Sequence, residues 1–461
     1  MRLKFLIALI ALTCTSAFGQ NIRQNGRLKV TANGHSLCQE DGTPFFWLGD
    51  TAWELFHRLN LGEISTYLEN RKQKGFNVIQ AVIIAEFDGL RKPNQYGEVP
   101  LENMDPTTPN EKYFQLVDSV VKLASSKELY MGLLPTWGDK VSKLSGLGPV
   151  VFNPKNAYSY GMWLGKRYKD DANIIWILGG DRPVMIDSKS DWRPIWHAMA
   201  NGILDGTNHK ALITYHPWMG NLSSSQYIHN EVWLDFNMIQ SGHGEHDFHV
   251  WNLVQRDWNL KPTKPTLDAE PNYEDHPVHW NPENGYFRDY DVRKQTYRSV
   301  FAGACGVTYG HHSVWQFYSS REKKLLNADR FWTEAIDRPG AFQVGYLKKL
   351  IESRPQLNRV PDQSLILKGQ GEKGEYICAF RDSIASYMMV YMPVGKAITI
   401  NTAIIKSKKI KVGWFNPRTA ATINKGIIAN KASIEFTSPT VGNENDWVLV
   451  VDNYKMKRTF K

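Results

Sequence analysis

Two stretches decide the fold: Asn173-Ile174-Ile175-Trp176-Ile177-Leu178-Gly179-Gly180-Asp181 and Lys264-Pro265-Thr266-Leu267-Asp268-Ala269-Glu270-Pro271. Each is a short, strand-like run that ends in a carboxylate. In a barrel of parallel strands the C-terminal strand ends converge on one face. An acid at the end of one strand and another three strands later then face each other across a pocket. Two carboxyl groups so placed are what the breaking of a glycosidic bond requires.

Working outward, eight apolar runs between Phe45 and Trp315 read as buried parallel strands: Phe45–Gly49, Phe76–Ile84, Leu129–Pro135, Ile174–Gly179, Ala211–Tyr215, Phe236–Ser241, Pro265–Ala269 and Gly306–Tyr309. Most are separated by enough chain for a helix. The helical candidates are Glu63–Lys74, Glu111–Ser126, Ala157–Tyr168, Trp192–Leu204 and Val292–Ala304. Eightfold alternation predicts an α/β chain, a (β/α)8 TIM barrel. A doubly wound sheet also alternates, but it does not need polar, reactive residues at every strand end. Ahead of the barrel, Leu28–Thr31 and Ser36–Gln39 read as a short hairpin able to cap one end. Beyond Pro355 the helical period vanishes. Seven short strands, from Leu365–Lys368 to Trp447–Val451, predict a small all-β sandwich. The expected division is a signal segment over 1–19, the barrel over 20–354 and the sandwich over 355–461.

The first nineteen residues read as a secretory signal: Arg2 and Lys4 lead an apolar stretch, and Ala17-Phe18-Gly19 supplies small residues for cleavage. The expected location is therefore secreted or periplasmic. Cys14 raises the alternative of a lipid anchor, but Thr13 before it fits such a site poorly. No other stretch is apolar enough to span a membrane. Loss of the signal lowers the formal charge from +9 to +7. That balance suits an acidic partner, yet the cations form no dense run before Lys406-Ser407-Lys408-Lys409, so nucleic acid is not expected. Cys38, Cys305 and Cys378 permit one disulfide but do not make a disulfide framework.

The two carboxylates carry the chemistry. Asp181, as general acid, needs a raised pKa, and the apolar strand with Trp176 is a source of desolvation. Taken alone it would equally serve as a cap or as a partner of Arg182. Glu270, as nucleophile, must be ionised and aimed into the pocket. Asp268, two residues earlier, is expected on the same side of the strand as a competitor or support. Other strand ends are polar too: Asp50 and Trp53, Glu86, Trp137, His216, His243 and Trp315 are the candidate sugar-binding residues, since hydroxyl-rich ligands want carboxylates, imidazoles and flat indoles. For any one of them a plain loop role is as good a reading. The repetition around the ring makes the case. The run His243-Gly244-Glu245-His246-Asp247-Phe248-His249 lacks a zinc spacing, so no metal is expected. Neither a phosphate-binding glycine loop nor a G-x-S-x-G elbow is present, and no cofactor is expected.

Trp47-Leu48-Gly49-Asp50-Thr51-Ala52-Trp53, Gly75-Phe76-Asn77-Val78-Ile79-Gln80, Leu178-Gly179-Gly180-Asp181 and Asp268-Ala269-Glu270-Pro271 together resemble the apiosidase-like glycoside hydrolases, carbohydrate-active family one hundred and forty. Val412-Gly413-Trp414-Phe415-Asn416-Pro417-Arg418-Thr419 resembles the small sandwich labelled a collagen-binding domain that usually follows that barrel. The resemblance implies a retaining glycosidase acting on pectin, releasing apiose-linked side chains from the galacturonic acid backbone of rhamnogalacturonan II. The implied partner is an acidic plant cell-wall oligosaccharide or polysaccharide, with no obligate protein partner. By position, Asp181 matches the family's acid/base and Glu270 its nucleophile. In the wider retaining clan the acid/base is usually a Glu preceded by Asn, whereas here it is an Asp preceded by Gly. Two other readings stand beside this one: the same barrel chemistry on another plant glycan, such as an arabinofuranoside, and a glycan-binding barrel without activity.

Overall fold

The computed structural model describes residues 26–218 and 222–456. The segment read as a secretion signal lies outside the described residues. Eight parallel strands form the central sheet. In spatial order they are Ile213–His216, Ile174–Gly179, Tyr130–Thr136, Val78–Ile84, Trp47–Thr51, Gly306–Tyr309, Thr266–Asp268 and Asn237–Gln240. The two end strands complete the ring through the chain leading into the sixth. The Asp235 amide donates to the Ile213 carbonyl at 2.9 Å, and the Thr214 hydroxyl to the Phe236 carbonyl at 2.6 Å. Closure follows from composition: these strands are apolar on both faces, so one face fills the barrel and the other takes the helices.

Alternation along each strand sorts the side chains. Trp47, Val78, Val82, Ile175, Ile177, Met238 and Leu267 fill the barrel interior in one cluster with Leu28, Leu37 and Phe45 of the amino-terminal hairpin. That hairpin, Leu28–Val30 against Leu37–Gln39, gains a third strand at Pro44–Phe45 and covers the end where the barrel strands begin. Leu48, Ile79, Met131, Trp176 and Ile239 face outward to the helices. Trp176 thus packs by Tyr168, with ring centroids 6.1 Å apart, and does not desolvate Asp181.

The helices start where the sequence offers caps. Leu61–Gln73 opens on a reciprocal pair: the Glu63 amide donates to the Asn60 side chain at 3.0 Å, and the Asn60 amide to the Glu63 carboxylate at 2.9 Å. Pro154–Arg167 begins with proline after the Asn153 cap. Two helices, Val250–Trp258 and Pro339–Glu352, were not foreseen from the sequence. Among the described residues no helix is long and apolar enough to cross a membrane.

After Glu352 the chain enters two antiparallel sheets. Six strands run in the spatial order Arg359–Pro361, Cys378–Asp382, Tyr387–Met392, Trp447–Asn453, Lys409–Phe415 and Thr422–Ala429. Three more, Ile366–Lys368, Gly395–Ile400 and Ile434–Gly442, form the facing sheet. Between them lies a core that includes Ile398, Val412, Trp414 and Leu449. The other face of the larger sheet shares a core with the barrel helix Asp289–Phe301, where Tyr297 stacks on Tyr391 at 4.7 Å. Cys38, Cys305 and Cys378 are buried free thiols.

Candidate active site

Glu270 lies just beyond the end of its strand, where the chain turns before Pro271, and its carboxylate enters a cavity of about 280 Å³ at the barrel mouth. Asp268 does not share its face, contrary to simple alternation. It points to the helix layer and accepts from Ser241 at 2.9 Å and Ser299 at 2.7 Å. Two imidazoles grip Glu270: His216 Nε2 lies 2.9 Å from Oε2, and His243 Nε2 lies 3.2 Å from Oε1. Burial works to raise this carboxyl, but the two histidines reverse that and hold it well below the usual carboxylate range.

Asp181 occupies the same cavity with the opposite tendency. Burial first, and then the charge of Glu270, push its carboxyl up to about 6 against the opposing Arg182 cation. The backbone that delivers it is unusual: Gly179, Gly180 and Asp181 all have positive φ, 88°, 107° and 49°. A side chain at Gly179 would lie 2.3 Å from the His216 carbonyl, so the turn needs glycine on both counts. Arg182 donates to Asp181 Oδ2 at 3.1 Å, while Oδ1 has no hydrogen-bond partner.

Five of the seven predicted sugar-binding residues line the cavity: Trp53, Glu86, Trp137, His243 and Trp315. Trp53 and Trp137 form a tilted pair 5.3 Å apart, and Trp315 packs near Phe87 at 5.7 Å. Burial pushes the Glu86 carboxyl up to about 8 despite Arg182 nearby. His216 sits behind the cavity, fully buried, as a partner of Glu270 and not as a wall. Asp50 does not reach the site at all. It belongs to the outward face of the first strand, where it accepts from the Tyr67 hydroxyl at 2.5 Å and lies 3.4 Å from Arg71. Strand parity decides this: Leu48 and Asp50 face the helices, so the acid tethers the helix Leu61–Gln73.

The sequence reading missed Gln240, Tyr273, His276, Trp280, Leu325 and Leu326, which also line the cavity. Tyr273 was within reach of the strand-end rule, three residues past Glu270. His276 and Trp280 arrive from a long loop that folds back over the mouth, and His276 stacks on His243 at 4.3 Å. No local pattern marks them. In the histidine-rich run, His246 pairs with Asp291 at 3.0 Å and Asp247 with Lys294 at 2.5 Å, so those residues serve loop packing.

Residues 31–358 match the family model "Apiosidase-like, catalytic domain". The chain belongs to the apiosidase-like family. Residues 360–452 match the model described as "Putative collagen-binding domain of a collagenase". A crystal structure of a glycoside hydrolase family 5 protein from Bacteroides vulgatus is 32% identical, with 94% of each chain covered and a TM-score of 0.86. A second solved structure, a glycoside hydrolase, is 33% identical over 95% of this chain and 98% of its own, again with a TM-score of 0.86. No curated protein matches the chain. The apiosidase-like protein described here is a glycoside hydrolase, and its cavity holds the carboxyl groups of Glu86, Asp181 and Glu270.

Proposed function

We propose that this enzyme is a retaining glycosidase of pectin that cleaves the apiose–galacturonic acid linkage of rhamnogalacturonan II side chains. The observation that carries the mechanism is the asymmetry of the two acids. Glu270 is held ionised by two imidazoles, and Asp181 is biased towards its protonated form in the same cavity. Glu270 attacks the anomeric carbon as the glycosidic C–O bond breaks, and Asp181 gives its proton to the leaving oxygen. Asp181 then takes a proton from water, which displaces Glu270 and restores both carboxyl groups. Formation of the glycosyl ester removes the Glu270 charge, so the second of the two influences that raise Asp181 disappears when it must act as base, while burial remains.

Charge distribution supports an acidic leaving group. The cavity lining carries the ionised Glu270 and no Lys or Arg, a poor seat for another carboxylate. Exposed lysines stand further out, on loops after the second strand (Lys92), the third (Lys143) and the eighth (Lys323 and Lys324). The eighth, first, second and third strands are successive neighbours in the barrel. The reading therefore seats a neutral sugar against Glu270 and a uronate towards those loops. An export signal at the amino terminus would bring the enzyme to such a polysaccharide outside the cytoplasm.

The test is product analysis across a panel of pectic oligosaccharides, with the released anomer followed by NMR. Release of apiose-terminated side chains with retained configuration is expected. Release only from neutral arabinofuranosides would transfer the reading to another glycan, and an inverted product would remove the covalent step. Binding without any release would leave a non-catalytic barrel.

A further inference from the structure

The short acid at position 181 raises a question of delivery: an Asp reaches one bond less far than a Glu, and its carboxyl must be fixed by something other than length. Arg182 lies beside it, 3% exposed, and makes four contacts. Its NH1 donates to the Asp181 carbonyl at 2.5 Å and to Asp181 Oδ2 at 3.1 Å. Its NH2 lies 3.3 Å from Glu86 Oε1, and its Nε donates to the Ser145 carbonyl at 3.3 Å. The main chain of the same residue is also tied, since the Tyr215 hydroxyl donates to the Arg182 carbonyl at 3.1 Å. Gly138 lies so close that a side chain there would meet the Arg182 stem at 2.7 Å. A guanidinium held on this many sides has one geometry open to it.

We propose that Arg182 is the positioning residue of the acid/base: it binds Asp181 through both the main chain and Oδ2, and so commits the free Oδ1 to carrying the transferred proton. The inference rests on the reading of Asp181 as acid/base. The bond changes remain those of glycoside cleavage: the proton moves from Oδ1 to the leaving oxygen, the anomeric C–O bond breaks, and Oδ2 keeps its Arg182 contact throughout. This grip also holds the left-handed Asp181 backbone, φ 49°, in place. Asp181 is also faced by Glu270, His216 and Gln240, and Arg182 is backed by Glu86. Behind them lies the buried pair Asp139–Lys140 at 2.6 Å.

The experiment compares two substrates in Arg182→Gln and Arg182→Lys. An oligosaccharide needs the proton, and an activated nitrophenyl glycoside does not. The expected result is a 10- to 100-fold loss of kcat/KM on the oligosaccharide with less than a threefold change in kcat/KM on the nitrophenyl glycoside, which reads the proton-independent glycosylation step and certifies the fold. On the nitrophenyl glycoside kcat itself falls with slowed deglycosylation and is restored by azide. Removing the cation in Arg182→Gln should move the alkaline limb of the kcat/KM profile up by about one pH unit. Arg182→Lys keeps the charge but not the fork, so it should retain the pH limb and still lose oligosaccharide turnover. In an Asp181→Ala background the Arg182→Gln loss should vanish. Equal losses of kcat/KM on both substrates, an unmoved limb in Arg182→Gln, or an undiminished loss without Asp181 would overturn the proposal. Should Asp181→Ala keep oligosaccharide turnover while Glu86→Gln abolishes it, the acid is Glu86, and the reading of Asp181 falls before this inference is reached.

Discussion

The barrel mouth and the junction with the sandwich are both rich in buried charge, and they use it differently. At the junction the cations are spent mainly on neighbours, with only Arg298 NH1 and Arg359 Nε left without a partner among the side chains of Arg293, Arg298 and Arg359. Arg293 binds Asp446 at 3.0 Å and Asp289 at 2.6 Å. Arg298 reaches the Lys373, Gly374 and Tyr376 carbonyls, and Arg359 those of Val300 and Ala304. At the mouth, Asp181 keeps an oxygen without a partner and Glu86 a carboxyl that burial favours as neutral. Charge that is mostly committed, away from any cavity, fixes geometry. Charge that is left partly uncommitted inside a cavity is available to a ligand.

The largest expected effect lies at the mouth. Glu270→Gln should reduce turnover of pectic oligosaccharide by a factor on the order of 10⁴ or more. Its thermal unfolding should stay close to that of the parent, because the isosteric amide can keep its oxygen towards one imidazole and its NH2 towards the other. Turnover near the parent rate would take Glu270 out of the nucleophile role. Next, Asp181→Ala should cost roughly 10²- to 10⁴-fold on substrates with poor leaving groups. Added azide should restore turnover of an activated glycoside, with the azide appearing in the product. Absence of any rescue would argue against a missing acid/base.

The junction should respond in stability and not in catalysis. Asp446→Ala removes the main partner of the buried Arg293 and should lower unfolding free energy by about 3 kcal/mol in a denaturant titration. Its kcat should stay within about threefold of the parent. A large loss of kcat with unchanged stability would erase the distinction between the two regions.

Titration sharpens the same comparison. The active form needs Glu270 ionised and Asp181 protonated. Asp181 is raised to about 6, so kcat/KM should fall as pH climbs through that value. Glu270 is depressed, so the acid side should hold until well below pH 4. A profile whose alkaline limb falls at the ordinary carboxylate value would remove the acid role from Asp181. Smallest of all, Asp50→Asn should leave KM within about twofold, because that side chain faces the helix Leu61–Gln73. A tenfold rise in KM would return Asp50 to the cavity wall.

Much of this was legible in the chain. All eight barrel strands read correctly to within a few residues because they are short β-branched runs between helical stretches. Thr422–Ala429 was missed because it is an exposed strand mixing polar and apolar residues. The helix Asp289–Phe301 was located, but its Arg293, Lys294 and Arg298 look like a solvated face in sequence and are buried against the sandwich in fact. Charge pattern gives burial only when the partners are known.

The sequence by itself determined the alternation of strands and helices, the change to short strands after Pro355, and the two carboxylates at strand ends. These depend on local periodicity, which a linear chain carries. Only the tertiary structure decided which carboxylates face the cavity. Asp50 and Asp268 turn outward, while Glu270 turns inward because its strand has already ended. It alone brought His216 and His243, from two other strand ends, onto Glu270, and Arg182 between Asp181 and Glu86. Ionisation of each acid is set by neighbours distant in the chain, and their approach exists only once the barrel has closed.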